Sequence, residues 1–249
     1  MSSTQYKRNF VNKVISKIDF ASPTDFFTPE SLSEAISEIK KRFPVIEQNK
    51  ASQQSIQLTP EGPLANKIDF PEWIFHGNNR EKYLKVNKLF IEILLTKYTN
   101  ENSFRDDLIT PIQHLLKLNP KMLIQRTGVR FINIFDFPLS NFSDSTQYFD
   151  ESISGIYHNS EGTDKITRSF LTTDYLFDDI KLRMQSGFFN PDYPSLIKRN
   201  HFVIDIDAYI DFPHLINDVT AYFNRLHDII EAVFESKITD KLRTEVLNG

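Results

Sequence analysis

Residues Met122–Phe137 read MLIQRTGVRFINIFDF. Branched and aromatic side chains fill this stretch at strand spacing, and no other segment has so much strand character. On a regular pleat Ile124, Arg126, Gly128, Arg130, Ile132 and Ile134 share one face, and Leu123, Gln125, Thr127, Val129, Phe131, Asn133 and Phe135 share the other. The lone glycine, Gly128, is the expected bulge or point of close approach. Arg126 and Arg130 flank that bare position and are aimed at one surface. Two guanidinium groups so placed can cradle a carboxylate, a phosphate or an acidic partner. Arg126, Gly128 and Arg130 are therefore the expected ligand- or partner-binding residues. The plain alternative is that each arginine pairs with a structural acid such as Asp205 or Asp207.

Upstream of this strand, Ser103 and Asp106 suggest a capped helix start, and Phe104, Leu108, Ile112, Leu115 and Leu116 form a helical stripe. Pro111 falls inside it and implies a kink or a late start. Lys82–Lys97 reads as a long strand or a strand pair. Val14–Phe20 reads as a strand. Thr28-Pro29 opens a helix with Leu32, Ile36, Ile39 and Phe43 on one face, which Pro44 ends. The polar run Glu47–Ser55 reads as a loop or hairpin tip, followed by short strands at Ser55–Leu58 and Glu72–Phe75.

Downstream, Ser140–Ser152 reads as a polar loop and Asn159–Asp164 as a turn. Strands are expected at Ile153–His158, Lys165–Tyr175 and Asp179–Phe189. His201–Ile210 alternates cleanly, with Phe202, Ile204, Ile206, Ala208 and Ile210 on one side, as in an antiparallel strand with one buried face. The longest apolar stripe, Phe212 to Phe234, predicts a long C-terminal helix, and Thr239 caps a short terminal one. The expected class is α+β, mainly antiparallel sheet with packed helices. Two organisations stand open: a single compact domain over 1–249, or two fused strand-then-helix units, 1–121 and 122–249, joined by the Met122–Phe137 strand.

Composition narrows the chemistry. The chain of 249 residues has 40% hydrophobic residues, enough for a packed core. It has no cysteine, which excludes disulfides, thiolate metal sites and a cysteine nucleophile, and fits a reducing cytoplasm. With seven glycines it is poor material for glycine-rich phosphate loops, and no GxGxxG, P-loop, GxSxG or HExxH is present. Phe is abundant at 22 residues, which implies a thick core or an open apolar groove. The opening MSSTQYKRNF lacks the apolar stretch of a signal peptide, and no apolar run is long enough to span a bilayer, so a cytoplasmic protein without membrane contact is expected. Net charge is −4, but Tyr6–Phe20 holds four bases (Lys7, Arg8, Lys13, Lys17) and one acid, whereas His201–Gly249 holds nine acids and four bases.

Two further clusters invite a chemical reading. His201, Asp205 and Asp207 lie on one strand face, a set that could hold a divalent metal in a nuclease or other hydrolase. The N-terminal bases and Lys198-Arg199, with Tyr6, Phe10, Phe188, Phe189 and Tyr193 nearby, could contact single-stranded nucleic acid. Neither is accompanied by a complete motif, so no cofactor is expected, and the chain leans away from enzyme.

Several pieces in order resemble one family: Tyr6-Lys7-x-Asn9-Phe10 with Ile18-Asp19-Phe20-Ala21, then Trp73-x-Phe75, then Arg126-x-Gly128-Val129-Arg130-Phe131-Ile132-Asn133. The ending Leu226-His227 … Phe234-Glu235-x-x-Ile238-Thr239-Asp240-x-Leu242 completes the likeness. The family is a sporadically distributed, functionally uncharacterised group of prokaryotic proteins of about 250 residues. The resemblance implies no established activity or catalytic residue; its patchy distribution is like that of genes in mobile defence and toxin–antitoxin loci. The function expected is a non-enzymatic protein that recognises a protein partner or a second copy of itself, as an antitoxin-like, chaperone-like or sensor subunit. The alternatives are a metal-dependent hydrolase and a nucleotide- or nucleic-acid-binding protein.

Overall fold

A computed structural model describes residues 6–24, 29–60, 62–136, 142–158, 162, 165–197, 199 and 201–249. The Thr28 cap, most of the 159–164 turn, Lys198 and the first part of the 140–152 loop lie outside the described residues. In chain order the elements are β1 (Val11–Phe20), α1 (Pro29–Arg42), β2 (Val45–Thr59), β3 (Gly62–His76), β4 (Lys82–Asn87), β5 (Phe90–Leu95) and α2 (Glu101–Leu118). They continue with β6 (Leu123–Phe135), α3 (Glu151–Ser154), β7 (Ser169–Phe177), β8 (Ile180–Phe188), β9 (Phe202–Ile210), β10 (His214–Leu215) and α4 (Val219–Ser236).

Among the described residues these ten strands form one sheet in the order β2-β3-β4-β5-β1-β6-β9-β8-β7, with β10 beside the start of β6. Every pairing is antiparallel. The class is therefore α+β, with an antiparallel sheet, packed helices and a long C-terminal helix. The two chain halves follow the same path. Each opens with a strand (β1, β6), makes a helical excursion, and returns through a meander whose last strand (β5, β9) pairs with the opening one. A helix, α2 or α4, then follows. The two opening strands pair with each other at the centre of the sheet.

One face of the sheet carries the helices. Val14, Ile18, Val129, Phe131, Phe135, Ile204 and Ile206 are buried there. Phe104 of α2 stands edge-on to Phe131 of β6 and to Phe223 of α4, so the two helices meet over the central strand. The α4 stripe of Val219, Phe223, Leu226, Ile230 and Val233 is buried at helical spacing, as expected. The helix starts later than its apolar run, because Pro213 is followed by β10 and a 3₁₀ turn at Ile216–Asp218. Helix α2 runs unbroken through Pro111 and is capped by Asn100, whose side chain accepts from the Ser103 N–H. The expected Ser103 start is thus three residues late. At the junction of α1, α2 and β4, the fully buried Asp107 is bonded by Arg42 and by Lys82 (2.8 Å), whose ammonium also lies 4.6 Å from the centre of the Phe43 ring.

Three local expectations are corrected. Ile153–His158 is not a strand. Asp150 accepts from the Ser152 N–H and starts α3, and a 3₁₀ turn continues through Tyr157. The polar run Glu47–Ser55 is strand, not loop, and the short strands expected at 55–58 and 72–75 are parts of two fifteen-residue strands, β2 and β3. The bulge in β6 sits at Gln125 rather than Gly128, since Asp19 pairs with Arg126 and Phe20 with Ile124, and Gly128 is instead the point of close approach, with the Arg126 side chain against it. That extra residue turns Ile124 onto the helix face and leaves Arg126, Gly128 and Arg130 on the open one. Thr239 does cap the terminal helical turn, accepting from the Leu242 N–H.

Candidate functional site

Across the open face the register sets Arg130 opposite Asp207 and Gly128 opposite Tyr209. Side chains reach one position further along. Arg130 grips Asp205 through both ends of its fork, Nε donating to Oδ1 at 2.8 Å and Nη2 to Oδ2 at 2.6 Å. That bond holds the Arg130 guanidinium above even its usual high pKa. Arg126 folds back over Gly128. A Cβ on Gly128 would come within 2.7 Å of Arg126 Nη1, so the missing side chain is what lets the guanidinium lie flat. From there it covers the Tyr209 ring at 4.5 Å and reaches Asp207 Oδ2 at 3.5 Å. Burial pushes the Asp207 carboxyl above the usual range, against the pull of Arg126 and Arg130.

The structure therefore gathers Arg126, Gly128, Arg130, Asp205 and Asp207 into one network, which Arg183 extends at the next strand. Arg183 stands opposite Asp207 and forks onto Asp174. His201 is not part of it. It precedes β9, and its carbonyl accepts from the Phe189 N–H. Among the described residues no group of three His, Asp or Glu side chains could hold a metal ion. Of the bases and aromatics considered for nucleic acid, Arg8 lies over Phe10 at 5.2 Å.

No protein-family model matches this chain, and no curated protein is significantly similar to it. Among the described residues no helix is long and apolar enough to cross a membrane.

The sequence reading missed a second feature. Strands β2 and β3 pair along their whole length, from Val45 with His76 to Thr59 with Gly62, while β4 covers only Glu72–His76 of β3. From the Lys50–Pro71 pair outward no third strand joins the ribbon among the described residues. At the rise of a strand these ten pairs extend about 30 Å. Phe70 roots the ribbon, buried under the Lys88 ammonium at 4.6 Å. Beyond it Ile56, Leu58, Leu64 and Ile68 are 70%, 87%, 56% and 53% exposed. Ile56 and Leu58 lie on one face with their cross-strand partners Ala65 and Pro63; Leu64 and Ile68 lie on the other, opposite Gln57 and Gln53. The apolar spacing Ile56-x-Leu58 and Leu64-x-x-x-Ile68 was the available signal.

Proposed function

We propose that the protein is a non-enzymatic binding protein that recognises a protein partner through the β2–β3 arm. The observation that carries this is the arm itself. A two-stranded ribbon is marginal in water, and four large aliphatic side chains on it gain nothing by facing solvent. A partner that covers both faces of the ribbon, or adds a strand to the β2 edge, would bury them. The pairing on the open sheet face supports the same reading. Asp205 is held by a guanidinium and Arg126 lies on an aromatic ring, so neither the acids nor the arginines stand as an unengaged set for metal or phosphate. An antitoxin-like, chaperone-like or sensor subunit of a mobile defence locus, in the reducing cytoplasm, is the setting proposed for such a protein.

The test is affinity capture of the full chain from its native cells beside the variant Ile56→Asp, Leu58→Asp, with native mass measurement of both. The expected result is a stoichiometric complex, with another protein or a second copy, that the double variant loses while its Tm stays unchanged. A strictly monomeric chain that captures nothing, or a variant that keeps every partner, would overturn the proposal.

A further inference from the structure

Strand β2 stands at one end of the sheet order, so one of its edges is open among the described residues. An open edge is a row of unpaired N–H and C=O groups, and soluble proteins guard such edges with charge, proline or a bulge. The edge strand at the other end, β7, carries Asp174, onto which Arg183 forks. β2 has no such guard. From Ala51 to Leu58 it holds no charged residue and no proline, and its register with β3 runs without a shift.

Two prolines fix which backbone groups face outward. Pro63 stands opposite Leu58, and Pro71 opposite Lys50. A proline has no N–H to give, so these are non-hydrogen-bonded pairs of the ladder. Because the pattern alternates, Ser52, Gln54, Ile56 and Leu58 turn their N–H and C=O groups away from β3, to the open edge. That row is its own complement. A second β2 running antiparallel about a two-fold axis offers acceptors to its donors and donors to its acceptors. Like charges opposed across such an axis would repel, and this segment has none to oppose.

We infer that the partner of the arm is a second copy of this chain, joined by antiparallel pairing of the two β2 edges with Gln57 on the two-fold axis. This rests on the reading of the arm as a recognition element. In that register Ile56 of each copy faces Leu58 of the other, and Ala65 and Pro63, beside them on the same face, widen the apolar patch. Moving the axis to Ser55 or Ile56 would set Leu58 against Ser52 or Gln54 instead. On the other face Leu64, opposite Gln57, brings an aliphatic side chain to each side of the axis. The pairing closes after two copies and leaves the guarded β7 edges outward. The overlap is short, so the dimer forms as protein concentration rises and the dilute chain is monomeric.

The experiment is sedimentation of the purified full chain over a concentration series, where a monomer–dimer equilibrium is expected. Ile56→Asp, Leu58→Asp opposes like charges across the axis and should weaken the dimer about tenfold or more. Mixing that variant with Ile56→Lys, Leu58→Lys should restore association, since each Asp then faces a Lys. The register has its own readout. The chain has no cysteine, so a single introduced thiol reports a single position. Gln57→Cys should close a disulfide between copies quickly, because Cα atoms at a non-hydrogen-bonded pair stand about 4.5 Å apart. Gln53→Cys, exposed on the same face, should not, as its two copies lie about 27 Å apart. A chain monomeric at every concentration, a dimer indifferent to the double Asp variant, or equally fast cross-linking at Gln53 and Gln57 would each overturn the inference. A monomer that captures a different protein, and loses it on Ile56→Asp, Leu58→Asp, overturns the second copy as occupant and leaves the arm as a recognition element.

Discussion

Asp205 and Asp207 lie two residues apart on one strand face, yet they answer differently to their surroundings. Asp205 receives a two-pronged bond from Arg130, whereas Asp207 has Arg126 only at 3.5 Å and is dominated by burial. Because burial raises the folded-state pKa of Asp207 above its unfolded value, ionising it weakens the fold. That penalty is absent below about pH 3.9, the unfolded value, and complete above the raised one. Asp207→Asn should therefore raise Tm at pH 7, and the gain should vanish as the pH falls through the carboxylate range. Asp205→Asn should lower stability at pH 7 by about 1 kcal/mol, the worth of a charge-assisted fork in a half-solvated setting. Thermal melts of both variants from pH 3 to 7 check the opposite signs. Gly128 gives a third test. Gly128→Ala should displace the Arg126 guanidinium from Tyr209, but should be nearly silent where Arg126 is already Ala. Urea titrations of the four chains should give a coupling of about 0.5–1 kcal/mol.

At the scale of elements, periodicity served wherever an element buries one face. β1, β6, β9 and α4 show their buried stripes directly in the residue order, because solvent on one side and core on the other imposes the alternation. β2 and β3 do not. Most of their length meets water on both faces, so Gln53, Gln54 and Lys67 are as acceptable as Ile56, and what orders the ribbon is cross-strand hydrogen bonding with no signature in composition. Ile153–His158 misled for another reason. A four-residue helix and a 3₁₀ turn are too short for a 3.6-residue period to show, and the Asp150 cap is the one local cue. The candidate site divides in the same way. The pairing of Arg126 and Arg130 with Asp205 and Asp207 was open to view as an alternative, since both strands could be aligned by pattern. The cavity on the helix side, between the N-terminal segment, the β5–α2 connection, β6 and α4, was not, because four separate segments build it. The arm carries its own prediction. Replacing Ser52–Asp69 by Asn-Gly should shift Tm by less than about 4 °C, or roughly 1 kcal/mol for a chain of this size. Hydrogen exchange should find the amides of that segment poorly protected in the isolated protein, in contrast with those of β1 and β6.

For the whole molecule the decisive contact is the pairing of β1 with β6, which joins the opening strands of the two halves beneath one continuous core. Cutting between Lys121 and Met122 strips β1 and β6 of each other and leaves each with a bare, flat edge. Fragments 1–121 and 122–249 should be insoluble when made apart and soluble when made together. A fragment that is soluble and unfolds cooperatively alone would instead mark two independent units. The same pairing has a consequence for synthesis. Ser16 bonds to the carbonyl of Gly128, 112 residues further on. At 5–20 residues per second the ribosome takes about 6–20 s to supply that partner, and β1 waits meanwhile with this edge bare, even after β5 has joined its other edge. The crowd of lysines and arginine around it, Lys7, Arg8, Lys13 and Lys17, then has work to do before there is any fold to stabilise. Like charges discourage one nascent chain from pairing with the next.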